Sequence, residues 1–215
     1  MATIYLDIET LPALDWDDER KQRQVRDKVP KNYKDPEKIA QWIAEESDAV
    51  WRRTALSPLY GRILCVCVAI GDHDPHVYWS DGTLEGERGV LIELTGLVSR
   101  LDVQVAHNGH GFDFPWLRKR ALKHRLTGLV SMYNVQQSWK ATHLVDTLEV
   151  WAGPSRDREG ASLDGLAEFF GIKRDNPISG ADVYDRWVMG DHDAIKHHVK
   201  DDVRVLREVY RCLAI

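Results

Sequence analysis

Residues 3–10 read Thr-Ile-Tyr-Leu-Asp-Ile-Glu-Thr, an apolar stretch that carries two acidic side chains in its second half. Its β-branched and aromatic residues predict a short buried strand from Thr3 to Asp7. Because residues i and i+2 of an extended chain point to the same side, Asp7 and Glu9 should present two carboxylates together. Two like charges this close are unfavourable without a cation, which indicates a Mg²⁺ or Mn²⁺ site. A solvated strand end is the alternative interpretation.

The segments around this strand predict an α/β fold, a mixed five-stranded sheet flanked by helices. The clearest strand is Gly-Arg-Ile-Leu-Cys-Val-Cys-Val-Ala-Ile at 61–70, and three shorter ones are expected at 76–79, 103–106 and 143–145. Apolar spacing and turn residues predict helices between and after them, at 84–101, 114–125, 162–170, 181–189 and 191–213. Two more charged helical segments, 15–28 and 36–55, form an insertion after the first strand, at about 11–58.

Composition and length favour one globular domain that spans residues 1–215. Hydrophobic residues make up 43% and charged residues 29% of the chain, which argues against disorder. No apolar run approaches the ~18–20 residues that cross a bilayer, so no membrane association is expected. The N-terminal residues do not resemble a secretory signal, and Cys65 and Cys67 are expected to be buried thiols on one strand face. Together these features predict a cytoplasmic protein.

The net charge of −5 weighs against a protein that binds nucleic acid, since phosphate binding usually leaves a basic footprint. The charge is unevenly distributed, however. Residues 20–34 carry seven basic residues and one acid, and residues 114–141 carry six basic residues and no acid. These two patches are candidates for contact with phosphates, and the 20–34 segment could instead bind a protein partner.

A second acidic position follows the predicted strand 103–106, in His107-Asn108-Gly109-His110-Gly111-Phe112-Asp113. Asp113 falls near the start of a helix, where an aspartate is commonly an N-cap. His107 and His110 raise the alternative of zinc, but the sequence has no matching Cys/His pair.

A third acidic position lies in the last predicted helix. Its apolar seam includes Val199 and Leu206, and Asp202 falls between them, where an apolar residue would be expected. An unpaired carboxylate there would be costly, so Asp202 should face a metal ion or a partner. Asp201, about 100° further round the helix, is expected to be solvated.

The combination of Asp-Ile-Glu-Thr at 7–10, His-Asn-x-x-Gly-Phe-Asp at 107–113 and a His three to four residues before Asp202 resembles the DEDD superfamily of 3′–5′ exonucleases. The similarity extends through most of the chain and is closest to stand-alone bacterial and phage enzymes related to the proofreading domain of family B DNA polymerases. It is weakest over residues 11–58. The resemblance implies a ribonuclease H-like fold.

The resemblance also implies an activity, namely two-metal hydrolysis of phosphodiester bonds at the 3′ ends of single-stranded DNA, with release of nucleoside 5′-monophosphates. The implied metal ligands for two Mg²⁺ or Mn²⁺ ions are Asp7, Glu9, Asp113 and Asp202. One ion would activate a water and the other would stabilise the leaving 3′ oxygen. A replication or repair protein is a further implied partner.

The family uses either a Tyr or a His before the last Asp to orient the water, and both positions are His here. On a continuous helix His198 lies about 40° from Asp202 and His197 about 140° away, which favours His198. If the helix began only near residue 197, His197 could serve instead, so both stay candidates.

Substrate contacts follow from the same resemblance and from residue chemistry. Thr10 and Leu11 match positions that contact the terminal nucleotide, and Asn108 and Phe112 could line the cleft, Phe112 as a stacking face for a base. Core packing is the alternative for Phe112. Five basic residues of the following helix could contact the phosphate backbone: Arg118, Lys119, Arg120, Lys123 and Arg125.

Three other interpretations remain open from the sequence. An exoribonuclease would carry the same motifs, since these do not distinguish the sugars. A non-catalytic nucleic-acid-binding or polymerase-partner module would be favoured by a missing acidic ligand, but all four positions are acidic. A transposase or integrase would share the fold and lack the His-containing last helix.

Overall fold

Five strands form one mixed sheet in the order β3-β2-β1-β4-β5 in a computed structural model that describes residues 2–99, 102–133, 143–155, 161–175 and 178–213. The central strand β1 pairs antiparallel with β2 and parallel with β4. The outer pairs β2–β3 and β4–β5 are antiparallel and parallel, respectively. The strands are β1 (Thr3–Leu11), β2 (Arg62–Ile70), β3 (His76–Trp79), β4 (Val103–Ala106) and β5 (Leu144–Asp146).

Nine α-helices are present in the described ranges, and they flank the sheet, which confirms the expected α/β class. They are α1 (Asp18–Arg23), α2 (Pro36–Arg52), α3 (Leu84–Leu97), α4 (Asp113–Lys123), α5 (Thr127–Met132), α6 (Thr147–Ala152), α7 (Leu163–Phe170), α8 (Val183–Val188) and α9 (His192–Leu213). The short helices α5 and α6 were not expected from the sequence, and α1 ends five residues before the predicted boundary at 28.

Strand β1 is longer than its apolar residues indicate, so Asp7 and Glu9 lie inside the strand rather than at its end. The extension to Leu11 is possible because β2 pairs with β1 along its length, with Asp7 opposite Cys67 and Glu9 opposite Cys65. This pairing is between distant segments, which local sequence does not reveal. The register shifts between Glu9 and Thr10, which marks a β-bulge at the acidic motif.

The two faces of β1 belong to different parts of the core. Ile4, Leu6 and Ile8 pack with residues of α3, α4 and α5 on one face. On the other face Tyr5 packs with β2 and with the apolar residues of α9. Alternation along the strand places Asp7 and Glu9 on this second face, which α9 covers, and their common side is the one feature expected from the sequence.

The helical insertion between β1 and β2 is fixed to the body of the protein by polar contacts. Thr10 Oγ1 donates to the Ala55 carbonyl at 2.6 Å, and the Trp51 indole donates to the Ala13 carbonyl at 2.9 Å. Arg52 forms an ion pair with Asp185 of α8 at 2.8 Å. The insertion therefore has a fixed position beside the acidic strand.

One of the basic residues expected to reach phosphates is instead part of the core. Arg120 is 1% exposed and forms a bidentate pair with the buried Glu87 of α3, at 2.6 and 2.7 Å. His124 contacts the same carboxylate at 2.7 Å. Sequence could not separate Arg120 from its exposed neighbours because its partner lies on another helix.

Some expectations fall outside what the structure describes. The predicted helix 84–101 ends at Leu97, and residues 100–101 lie outside the described ranges, as do residues 134–141 of the basic stretch. None of the helices in the described ranges combines the length and apolar character that crossing a membrane requires. The single domain over residues 1–215 and the cytoplasmic location stay predictions.

Candidate active site

A cleft of about 380 Å³ lies between the acidic face of β1, the N-terminal end of α4 and the middle of α9. The four predicted metal ligands all line it: Asp7, Glu9, Asp113 and Asp202. His198 lines it as well. Three segments that are far apart in sequence thus bring their acidic residues to one place.

Asp113 is the first residue of α4 and is held by a tight loop. Asn108 adopts a left-handed conformation with φ of 56°, and its carbonyl accepts from the N–H groups of Gly111 and Phe112. A Cβ at Gly111 would lie 2.4 Å from the Asn108 side-chain oxygen, so a larger residue at this position would displace the Asn108 side chain. Asp113 is 2% exposed, and its Oδ1 atom is buried without a hydrogen-bond partner in the part of the chain that the structure describes.

Both candidate histidines lie on α9, but only His198 lines the cleft. His198 is 4% exposed, and its Nε2 atom lies 3.2 Å from Glu9 Oε1 and 3.7 Å from Asp202 Oδ2. The His197 side chain is 55% exposed and approaches Asp175, at 3.9 Å, rather than the acidic residues of the cleft. Because α9 begins at His192, it is continuous through both positions, and the helical geometry brings His198 to the cleft.

The expectation that Asp201 is solvated is wrong. Asp201 is 5% exposed, accepts from the Asp175 N–H at 3.2 Å, and pairs with Arg204 at 2.6 Å. The segment around residues 173–175 covers this side of α9, a contact between distant segments that the helical pattern does not reveal.

Arg174 is a cleft residue that sequence reasoning missed. Its guanidinium lies 2.5 Å from Asp202 and 2.9 Å from Asp164, and it also reaches Asp201 at 3.5 Å. The only available signal was weak, a basic pair at 173–174 in an acidic region. In this arrangement Arg174 is the counter-ion of Asp202, and it brings a fixed positive charge to the cleft.

Replacing Arg174 with Ala should lower the stability of the protein in metal-free buffer, because Asp202 then loses its partner. We expect a loss of about 1 kcal/mol, which corresponds to a decrease of ~2–4 °C in Tm for a chain of this size. Thermal unfolding followed by circular dichroism measures the change. Arg186→Ala is the matched control, since it removes the partly exposed pair with Asp191 and should change Tm less. Equal effects of the two variants would contradict a special role for Arg174.

The carboxylates of the cleft raise one another's pKa values. Burial, followed by the charges of Asp113, Asp202 and Glu9, raises the pKa of Asp7 well above its usual range, and Arg174 opposes this only in part. Burial also raises the pKa of Glu9, against the effect of the His198 contact. Burial and the charge of Asp146 raise the pKa of Asp113 well above its usual range, although backbone N–H groups of Asp113 and Ile8 act in the opposite direction. A cluster of carboxylates that disfavours ionisation in this way is suited to receive cations.

These shifts predict the pH dependence of stability without metal ions. The folded pKa of Asp113 lies above its unfolded value, so between the two the folded state binds more protons and stability falls as pH rises. Asp113→Asn removes this charge and should stabilise the metal-free protein at neutral pH by ~1–3 kcal/mol. The free energy of unfolding is measured by urea unfolding in the presence of a chelator from about pH 5 to 8, the range in which proteins tend to be most stable. Asp193→Asn, at an exposed position of α9, should leave the profile unchanged. An Asp113→Asn profile that matches that of the unmodified protein would contradict the interpretation.

The predicted substrate-contact residues divide into two groups. Thr10, Asn108 and Phe112 line the cleft, and Phe112 also packs against Trp116 with ring centroids 5.7 Å apart. Leu11 does not reach the cleft, which contradicts its predicted contact with substrate. It is fully buried because Val183 of α8 and Ile195 of α9 cover it.

The residues of the cleft fit divalent cations. Ligand atoms of Glu9, His198 and Asp202 lie within 4.8 Å of one another, and Asp113 contributes a buried oxygen without a partner among the described residues. Oxygen donors of this kind match the preference of Mg²⁺ and Mn²⁺. The alternative zinc pair is not favoured, since the ring Nδ1 atoms of His107 and His110 contact different partners, Thr147 Oγ1 at 3.0 Å and Glu149 Oε2 at 2.8 Å.

Comparisons with known proteins agree with this architecture. A family model of the RNase H superfamily matches residues 53–214, a range that excludes Asp7, Glu9 and most of the helical insertion. The structure of the family B DNA polymerase from the hyperthermophilic archaeon Pyrobaculum calidifontis is similar, with a TM-score of 0.55 and 19% sequence identity. That similarity covers 99% of this chain and 24% of the polymerase, so the chain spans about a quarter of that protein's length. A search of curated proteins finds no match.

The family match covers most of the chain, and the polymerase resemblance supports the fold at low identity. The chain therefore belongs to the RNase H superfamily and has its ribonuclease H-like fold.

Proposed function

We propose that the protein is a metal-dependent 3′–5′ exonuclease that hydrolyses phosphodiester bonds at the 3′ ends of single-stranded DNA. The observation that carries the proposal is the convergence of Asp7, Glu9, Asp113 and Asp202 on one cleft with His198. An RNase H-like fold without this constellation would support nucleic-acid binding only. The resemblance to the DEDD exonucleases and the fold similarity to a family B polymerase support the same conclusion.

The four carboxylates would hold two divalent ions, Mg²⁺ or Mn²⁺, which supply Lewis acidity to a water and to the leaving 3′ oxygen when they are bound. The carboxylates on β1 and α9 would hold these ions beside the reacting phosphate. Because they are fixed by a paired strand and a long helix, they need little rearrangement to do so.

His198 is the residue placed to move a proton. Burial lowers its pKa, but the hydrogen bond and charge of Glu9, together with the charge of Asp202, outweigh burial and raise the pKa above its usual range. In the proposed reaction its Nε2 atom accepts the proton of the attacking water. The water oxygen bonds to phosphorus, the bond from phosphorus to the 3′ oxygen breaks, and that oxygen takes a proton from solvent. The products are a nucleoside 5′-monophosphate and a shortened strand.

The substrate is proposed to be a single strand because a cleft of about 380 Å³ has the size of a pocket for one nucleotide rather than for a duplex. Asn108 and Phe112 line one wall, where they can contact the terminal sugar and base. The acidic background of the protein predicts modest, salt-sensitive binding of isolated ends rather than tight binding.

Single-stranded DNA and RNA oligonucleotides of the same sequence, labelled at the 5′ end, test the proposal. With Mg²⁺ or Mn²⁺ we expect the DNA to shorten stepwise from its 3′ end and the RNA to shorten more slowly. Faster shortening of RNA would assign the protein to the exoribonucleases. Tight binding of either strand without any cleavage would favour a non-catalytic module, and internal cuts would exclude an exonuclease.

A further inference from the structure

A second cavity, of about 360 Å³, adjoins the acidic cleft on the side of the helical insertion. Thr10, Leu56 and Gly180 line both cavities, so their surfaces are continuous. We call the second cavity the insertion pocket, and it is further lined by Pro12, Arg52, Arg53, Ala55, Ala181 and Tyr184. Each cavity is near the lower end of the ~300–1,000 Å³ range of ligand pockets, a size suited to one nucleotide rather than a duplex.

The walls of the insertion pocket are suited to a nucleobase. Pro12, Ala55 and Leu56 provide apolar surface, and Leu56 is 69% exposed at the boundary between the two cavities. Tyr184 is held by the Arg52 guanidinium 5.0 Å from its ring centroid and by Trp51, packed edge-on at 5.0 Å. A base in the pocket would cover apolar surface that water now contacts.

The charges of the insertion pocket are suited to a phosphate. Arg52 is already paired with Asp48 and Asp185, both at 2.8 Å. Arg53 is exposed, and although its backbone N–H caps α2, its guanidinium forms no ion pair or hydrogen bond with any residue of the described ranges. An unpaired guanidinium at the edge of an apolar pocket can bind a phosphate oxygen by charge-assisted hydrogen bonds.

We infer that the insertion pocket binds the second nucleotide from the 3′ end, with its 5′ phosphate on Arg53 and its base against Leu56. The inference rests on the proposed exonuclease function. The terminal nucleotide occupies the acidic cleft, so the rest of the strand must leave along a surface continuous with it, and Thr10, Leu56 and Gly180 provide that surface.

A combination of protein and substrate changes tests the contact with Arg53. The substrates are a single-stranded oligonucleotide and the same strand with a neutral methylphosphonate between its second and third nucleotides from the 3′ end. We expect the methylphosphonate, or Arg53→Ala, to lower kcat/KM for removal of the terminal nucleotide by about 5–10-fold. The two changes together should cost no more than either alone. Arg88→Ala, which removes an exposed arginine of α3 outside both cavities, is the matched control and should stay sensitive to the methylphosphonate.

An abasic residue at the second position should also lower kcat/KM about 10-fold, by loss of the base contact, while one far from the 3′ end should not. The inference would be overturned if Arg53→Ala and the methylphosphonate lowered kcat/KM independently of each other, or if Arg53→Ala behaved like Arg88→Ala. Either result would leave the exonuclease function intact. If the unmodified protein removes no nucleotide from the unmodified strand, the proposed function fails and the inference fails with it.

Discussion

Asp7→Asn should reduce kcat for nucleotide release by about 10³-fold or more, which corresponds to ~4 kcal/mol of transition-state stabilisation. Asp7 shares its strand with Glu9, and the charges of Asp113, Asp202 and Glu9 all act on it. Its removal therefore affects the whole carboxylate set. Single-turnover cleavage of a labelled oligonucleotide at saturating Mn²⁺ measures the change.

The same substitution should raise the Tm of the metal-free protein, because the pKa of Asp7 is raised by burial and by like charges. Loss of activity together with gain of stability separates a missing catalytic group from a damaged fold. An Asp7→Asn variant that is less stable than the unmodified protein, or that keeps activity, would contradict the assigned role.

His198→Ala should lower kcat by about 10²–10³-fold, the usual contribution of a positioned general base. His198 is buried between Glu9 and Asp202, whereas the other histidine that lines the cleft among the described residues, His107, has its Nδ1 atom 3.0 Å from Thr147 Oγ1. His197→Ala is the matched control on the adjacent residue and should change kcat less than twofold, about the effect of a surface substitution. Rates measured from pH 5 to 9, about the range over which histidine titrates, give the readout.

The pH profile distinguishes a proton-transfer role from a structural one. The unmodified protein and His197→Ala should both lose activity at low pH, where His198 is protonated, whereas the residual activity of His198→Ala should lack that dependence. If only His197→Ala were inactive, the interpretation from helical geometry and from the contacts of α9 would be wrong.

The parts of the site that could be predicted from the sequence are those fixed by the repeat of a single strand or helix. Alternation along β1 places Asp7 and Glu9 on one face, and the 100° step of a helix puts His198 nearer to Asp202 than His197. Both rules need only the type of each element, which the apolar residues of 3–8 and the apolar seam of the last helix indicate.

The parts that sequence missed depend on contacts between distant segments. Arg174 reaches Asp202 from a loop 28 residues earlier, and the same loop buries Asp201. Nothing in the sequence near Leu11 indicates that α8 and α9 cover this side chain. The insertion pocket likewise exists only because residues 52–56 pack against α8, so its position could not be read from the charged helices that the sequence indicated.

The chemical identity of the product tests the central claim most directly. A single-stranded DNA incubated in ¹⁸O-labelled water with Mg²⁺ or Mn²⁺ should release nucleoside 5′-monophosphates from its 3′ end, each with one ¹⁸O atom on phosphorus by mass spectrometry. Asp7→Asn and Asp113→Asn should both abolish this release. Metal-independent release, products with a 3′ phosphate, or undiminished release by these variants would contradict the account.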